Sequence, residues 1–285
     1  MSTPTRALPQ ICRLRLLQPL TQYRPHNTSA VDPSEISHFN ALAADWWDPH
    51  GTSRLLHLMN PLRLQFLRRC LSRGSATPGV PPKRYLDVGC GGGILAESLA
   101  RLKGTEEVVA IDPTPQVLQV ARDHMRQDPT LQGRLRYLGT TIDGLDKALA
   151  AEGLEKGTFD VVTTMEVVEH VPNPTLFLQQ CMAHVKPGGW VVGSTIAKTW
   201  TSWFTTKLVA EDILNIVPRG THDWNKYINA NTLEAFFLQQ KGWGGQSGEG
   251  IVFMGCVYVP GLGWRDVKGG EKVGNYFFAA RKNEE

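Results

Sequence analysis

From Arg84 onward the chain alternates short apolar, β-branched runs with stretches of helical period. The runs "RYLDV", "EVVAI", "LRYL", "FDVVTT", "WVVGST", "IVFMGCVYV" and "NYFFAA" predict strands. Helical spacing falls between them, at roughly 93–102, 114–126, 173–185 and 231–240. Apolar strands separated by helices predict βαβ units on a parallel sheet. The last two runs have only a loop between them, which predicts an antiparallel closing pair. The expected fold is therefore α/β: a doubly wound, Rossmann-like sheet of seven strands. Upstream, "PSEISHFNALAADWW" offers Ser34 as a cap and helical spacing at Ile36, Phe39, Leu42 and Trp46. "NPLRLQFLRRCL" puts Asn60 at an N-cap and Pro61 at the first helical position, with Leu62, Phe66 and Leu67 as the apolar stripe. The Pro- and Gly-rich "SRGSATPGVPPK" separates these helices from the strands. There are no internal repeats.

Composition narrows the picture. A chain of 285 residues, 41% hydrophobic, can bury a substantial core in one or two domains. Its +3 charge is more than accounted for by Arg6, Arg13, Arg15 and Arg24, since no acid precedes Asp32. The remainder is near neutral, so no basic field argues for nucleic acid. Residues 1–30, bearing Arg, Ser and Thr without acids or a long apolar core, predict a mitochondrial transit peptide; a plain N-terminal tail is the other reading. The folded body is expected over 31–285: N-terminal helices at 31–75, a cofactor-binding core at 84–197, a lid at 198–230, and a closing helix and strands at 231–285. The five cysteines are scattered without a CxxC pair, which predicts neither a disulfide framework nor a zinc site and suits a reducing compartment. No run approaches a membrane span.

Chemistry first enters at "LDVGCGGG", which follows the first strand and leads into "ILAESLARL". Gly89, Gly91 and Gly93 allow a tight turn and bring backbone N–H groups close to a ligand at a helix N-terminus. Asp112 ends the second strand, where an acid accepts both hydroxyls of a ribose; capping the next helix is its structural alternative. A dinucleotide turn follows G-x-G-x-x-G, whereas "GCGGG" is G-x-G-x-G, with Asp87 two residues upstream. Asp87 could hold an ammonium group, which S-adenosyl-L-methionine carries and NAD lacks. With the turn "KPGGWVV" before the fifth strand, the chain resembles a class I S-adenosylmethionine-dependent methyltransferase.

After strand four comes "MEVVEHV". In a doubly wound sheet the end of strand four lies beside the end of strand one, where ligands bind. If a helical turn begins there, Glu166 shares a face with Glu169 and His170. Two carboxylates and an imidazole suit a hard or borderline divalent cation. Spacing alone also allows a metal-free turn lining the cofactor.

The elements "WWDPHG", "HLMNPLRLQFL", "LDVGCGGGILAESLAR", "EVVEHVPNP", "HVKPGG" and "VPRGTHDWNKYI" together resemble the ubiquinone-biosynthesis O-methyltransferase family, over about residues 35–281. The resemblance implies that Glu166, Glu169 and His170 hold a divalent metal, with magnesium the expected ion. It implies cofactor contacts at Arg63, Gly89, Asp112 and Met165, beside Asp87 and Gly91. Arg63 would bind the donor's carboxylate bidentately; its structural alternative is a surface helix charge, and that of Met165 is core packing. The implied reaction is methyl transfer to a catechol hydroxyl of polyprenylated dihydroxybenzoate and demethylubiquinol-type intermediates.

Between strand five and the last helix, "TWTSWFTTKLVAEDILNIVPRGTHDW" has an apolar stripe at Trp200, Trp203, Phe204, Leu208, Ile213, Leu214 and Val217. It suits an interfacial helix or a lid packed on its own domain. His222 is a candidate general base, a ligand for the substrate's carboxylate, or a loop-ordering histidine. The implied setting is peripheral, at the matrix face of the inner mitochondrial membrane, among other ubiquinone-biosynthesis proteins. Competing readings are methylation of a small soluble phenol, an NAD-dependent oxidoreductase, and a structural member of a quinone-synthesis complex.

Overall fold

The computed structural model describes residues 36–37, 39–40, 43–51, 53–74, 84–154, 158–197, 228–245 and 247–284. The transit-peptide expectation, the apolar stripe at 200–217 and His222 lie outside the described residues.

Eight strands form one sheet: β1 Arg84–Val88, β2 Glu107–Ile111, β3 Leu135–Leu138, β4 Phe159–Met165, β5 Val185–Ile196, β6 Ile251–Val259, β7 Gly263–Val267 and β8 Asn275–Arg281, ordered β3-β2-β1-β4-β5-β8-β6-β7. The first five run parallel, and β8 inserts antiparallel between β5 and β6. All seven expected strands are present. The eighth, β7, was expected to be loop: it hairpins back on β6 at the sheet edge, and Arg265, Asp266 and Val267 are exposed, so it carries no buried pattern.

Among the described residues, six α-helices accompany the sheet: α1 Arg54–Gly74, α2 Ile94–Ala100, α3 Pro115–Met125, α4 Leu145–Ala151, α5 Pro174–Ala183 and α6 Ala230–Gln239. Pro61 does not begin a helix; it lies inside α1, which starts a full two turns earlier. Pro61 is exposed, so the hydrogen bond it cannot donate opens a carbonyl to water rather than to the core. Asn60 does not cap; its side chain donates to Ser98 Oγ at 2.8 Å and bridges α1 to α2. α5 starts with Asn173 Oδ1 accepting from Leu176 N at 3.0 Å and Pro174 in the first turn.

Two apolar layers cover the sheet. One buries Leu86, Val109, Val162, Phe177, Leu178 and Phe237. The other buries Phe66, Leu67, Tyr85, Leu99, Leu118 and Phe277. Each such side chain contributes about 1.5–3 kcal/mol by leaving water. Successive strand residues point to opposite faces. Asp87 therefore shares the face of Tyr85, which packs in the same layer as Phe66 and Leu67 of α1.

Candidate functional site

The switch in strand order falls between β1 and β4, whose carboxyl ends lie side by side. The turn after β1 is fixed by backbone bonds: Gly89 N and Cys90 N both donate to Ile111 O, at 2.8 and 3.0 Å. Gly89, Gly91 and Gly93 all have positive φ, at 71°, 53° and 89°, where L side chains are strained. A Cβ on Gly89 would come within 2.4 Å of Val167 Cγ2, so the turns after β1 and β4 pack directly together.

Asp112 sits at the end of β2 with its carboxylate already engaged. Oδ2 accepts from Gly91 N at 3.0 Å and Oδ1 from Thr114 N at 2.8 Å. Burial raises its pKa, and these bonds oppose the rise. Asp112 thus ties the glycine turn to the start of α3.

Asp87 and Arg63 are brought together by α1 lying on the Tyr85–Asp87 face. Asp87 is buried at 2% exposure, and Thr163, its partner in register on β4, donates through Oγ1 to Asp87 Oδ1 at 2.6 Å. Burial pushes its carboxyl up to about 6, against the Thr163 bond and the Arg63 charge. Arg63 is buried, not a surface helix charge, and its Nε has no hydrogen-bond partner. Burial lowers its pKa, while the negative charges of Glu166 and Asp87 counter this. A buried guanidinium nitrogen left unpaired is costly, and a ligand carboxylate would satisfy it.

Glu166 is not on a helical face with Glu169 and His170. It has φ +58°, the left-handed region, and is the single non-glycine residue there among the described residues. Its N–H is pinned by Ser194, 3.2 Å from the carbonyl and 3.0 Å from Oγ. Only then does a 3₁₀ turn run over Val168–His170. Glu166 Oε1 is buried without a partner. Glu169 turns inward, accepting from Thr195 Oγ1 at 2.9 Å; burial first, then the charge of Glu166, raise its pKa. His170 stands edge-on to Phe39, ring centroids 5.3 Å apart. Met165 is buried at the end of β4, in the same apolar layer as Cys90 of the glycine turn.

Among the described residues no three His, Cys, Asp or Glu side chains are grouped around one point as a metal ion needs. The donor chemistry nonetheless suits a hard divalent cation: two acids that feel each other's charge, one with an unpartnered buried oxygen, and an imidazole. Thr163, Ser194 and Thr195 support the site but were not singled out from the sequence. Inside "FDVVTT" and "VVGST" they read as ordinary strand residues, and nothing local marks their hydroxyls.

Residues 57–243 match the model of a family described as a methyltransferase domain. The chain is 41% identical over 267 residues to the mitochondrial ubiquinone biosynthesis O-methyltransferase of Schizosaccharomyces pombe, covering 92% of this chain and 90% of that protein. It is 35% identical over 299 residues to its Saccharomyces cerevisiae counterpart, covering 92% and 91%. A bacterial protein named ubiquinone biosynthesis O-methyltransferase, from Shewanella pealeana, is 41% identical over 208 residues, covering 73% and 80%. Among solved structures, the plantazolicin methyltransferase BamL superimposes with a TM-score of 0.55 at 11% identity, covering 88% of this chain and 98% of that one. That likeness speaks for the fold alone.

Proposed function

The chain belongs to the ubiquinone biosynthesis O-methyltransferase family, and from that membership we propose that it methylates a catechol hydroxyl of a polyprenylated ubiquinone precursor, assisted by a divalent metal. As a member it is an S-adenosylmethionine-dependent O-methyltransferase. The observation that carries the site assignment is the buried pair Arg63 and Asp87, with Arg63 Nε unpartnered, at the glycine turn. A guanidinium and a carboxylate set there suit the two ends of a zwitterionic amino acid. Arg63 would take the donor's carboxylate, Asp87 its ammonium, Asp112 the ribose, and Met165 would form the apolar wall.

Glu166, Glu169 and His170 would hold the metal, which when bound lowers the pKa of a catechol hydroxyl and fixes the oxygen. The strained backbone at Glu166 supports this reading, because left-handed non-glycine residues cluster at working sites. The protein's own contribution to rate would be alignment of the acceptor oxygen with the donor, in a site whose charges are already placed. Residues 1–30 would direct import, as the mitochondrial names of the fungal relatives suggest. No described helix is long and apolar enough to cross a membrane. Segment 198–230 would dock the enzyme on the inner membrane, where a polyprenyl tail partitions and where other ubiquinone-biosynthesis proteins would meet it.

The test combines labelled S-adenosylmethionine, a short-chain prenylated dihydroxybenzoate and magnesium. Methyl transfer should be abolished by a chelator and restored by added metal. Turnover indifferent to the chelator would remove the metal and leave Glu166, Glu169 and His170 as pocket lining. Binding of NADH in place of S-adenosylhomocysteine would overturn the donor assignment.

A further inference from the structure

Two glycines of the turn face a tryptophan. A Cβ on Gly91 would lie 2.4 Å from Trp46 Cζ2, and one on Gly92 2.2 Å from Trp46 Cδ1. Gly92 does not have positive φ, so the indole lying on it, not the backbone conformation, requires glycine there. The next residue adds two contacts. Trp47 Nε1 donates to Gly92 O at 2.8 Å, and its ring stacks on His124, with centroids 3.4 Å apart and planes within 1°. His124 is held from behind: its Nδ1 is 2.8 Å from Oε1 of Glu97, which is fully buried on α2. Toward the other wall of the cleft, the Phe39 ring tilts on Trp46 at 6.4 Å and meets His170 edge-on. One short stretch thus touches both the glycine turn after β1 and the metal-candidate turn after β4.

We propose that Phe39, Trp46 and Trp47 form an aromatic strap that closes over the methyl donor and must lift before the spent donor leaves. This rests on the reading of the cleft as the donor site. A donor with its ribose at Asp112 and its amino-acid end at Arg63 and Asp87 lies along the turn that Trp46 covers. The strap is built to open on its own. Trp46 belongs to a small apolar cluster with Ala43, Ile94 and Val117, separate from the two layers that cover the sheet. Its further ties are the Trp47 contacts above, the edge-on contact of Trp47 with His57 and the 2.8 Å contact of His57 Nε2 with Trp46 O. A unit so attached at its margin can open locally without the sheet layers. Trp46 and Trp47 are then positioning residues: closed, they exclude water from the reacting sulfonium, and their opening sets the rate of exchange.

The experiment follows release of labelled S-adenosylhomocysteine from the full chain after a chase with unlabelled ligand. Trp46→Ala should release it about 10-fold faster or more, a barrier difference of about 1.4 kcal/mol. Gly92→Ala should do the same, because its methyl displaces the indole. The double variant should be no faster than Trp46→Ala alone, since the methyl then has nothing to displace. Wild-type release from Trp46→Ala, or additive effects in the double variant, would overturn the strap. If Trp46→Ala does not fold, Trp47→Phe keeps an aromatic ring beside His124 and His57 and removes the bond to Gly92 O. It should release about 3-fold faster, and a wild-type rate there also counts against the proposal. A wild-type protein that retains no S-adenosylhomocysteine sinks the donor reading and the strap with it.

Discussion

Asp87→Asn should stabilise the donor-free protein and weaken its grip on the donor, two effects of opposite sign from one carboxylate. Burial moves the Asp87 carboxyl from 3.8 to about 6, and at 1.36 kcal/mol per pKa unit its ionisation costs the folded state roughly 3 kcal/mol. The sign follows from proton counting. Between about pH 4 and pH 6 the folded protein holds a proton that the unfolded chain has released, so this group's contribution to stability falls as pH rises and is constant above. Asparagine removes the charge, and its Oδ1 can still accept from Thr163 Oγ1, which stands 2.6 Å from the native oxygen. Its amide also brings a buried donor that costs about 1–3 kcal/mol if unpaired. The net gain at pH 7 is about 1 kcal/mol, or about 2–4 °C in Tm for a domain of this size. The advantage of the variant should grow between pH 4 and pH 6 and then level off. Against this, losing the partner for the donor's ammonium removes a charge-assisted hydrogen bond of about 1.5–3 kcal/mol, or roughly 10- to 100-fold in affinity for S-adenosylhomocysteine. Thermal unfolding and calorimetric titration read the two quantities on the same samples. A donor-free variant that melts below wild type at pH 7, or one that binds S-adenosylhomocysteine unchanged, would refute this account of Asp87.

Two further substitutions probe the supporting residues. Thr163→Val deletes the bond that holds the Asp87 pKa down, so donor affinity should drop at pH 6–7 and recover as pH rises; a pH-independent loss would mean that Thr163 acts through packing. Glu166→Gly relieves a left-handed residue at φ +58°, worth about 1–2 kcal/mol, against about 0.5–1 kcal/mol of added chain entropy in the unfolded state. Its Tm should therefore stay near wild type while methyl transfer collapses; a large fall in Tm would show that the Glu166 side chain serves the fold.

The strands of the sheet were legible because buried parallel strands carry near-continuous apolar runs, as "EVVAI" and "FDVVTT" do. β7 was not, because an edge strand with exposed Arg265, Asp266 and Val267 carries no such pattern. Pro61 misled for a related reason: a proline's missing N–H is harmless at a helix start and equally tolerable on an exposed face of α1, and only packing distinguishes the two. Within the site, the glycine turn could be read because positive φ makes a local backbone demand. The threonines and Ser194 could not, since a hydroxyl in a strand looks the same whether it faces a core methyl or a carboxylate.

The sequence by itself determined the alternation of strands and helices, the tight turn after β1, and the residue types available at the ends of β1, β2 and β4. These are properties of short stretches, set by side-chain period and by glycine's access to positive φ. The tertiary structure alone decided that α1 covers the Asp87 face and buries Arg63 beside it. It also decided that Glu166 is left-handed while Glu169 turns to Thr195, and that Trp46 lies on Gly91 and Gly92. Each joins residues far apart in the chain, and each is settled by which faces exclude water together: a sum over the whole fold that no local window contains.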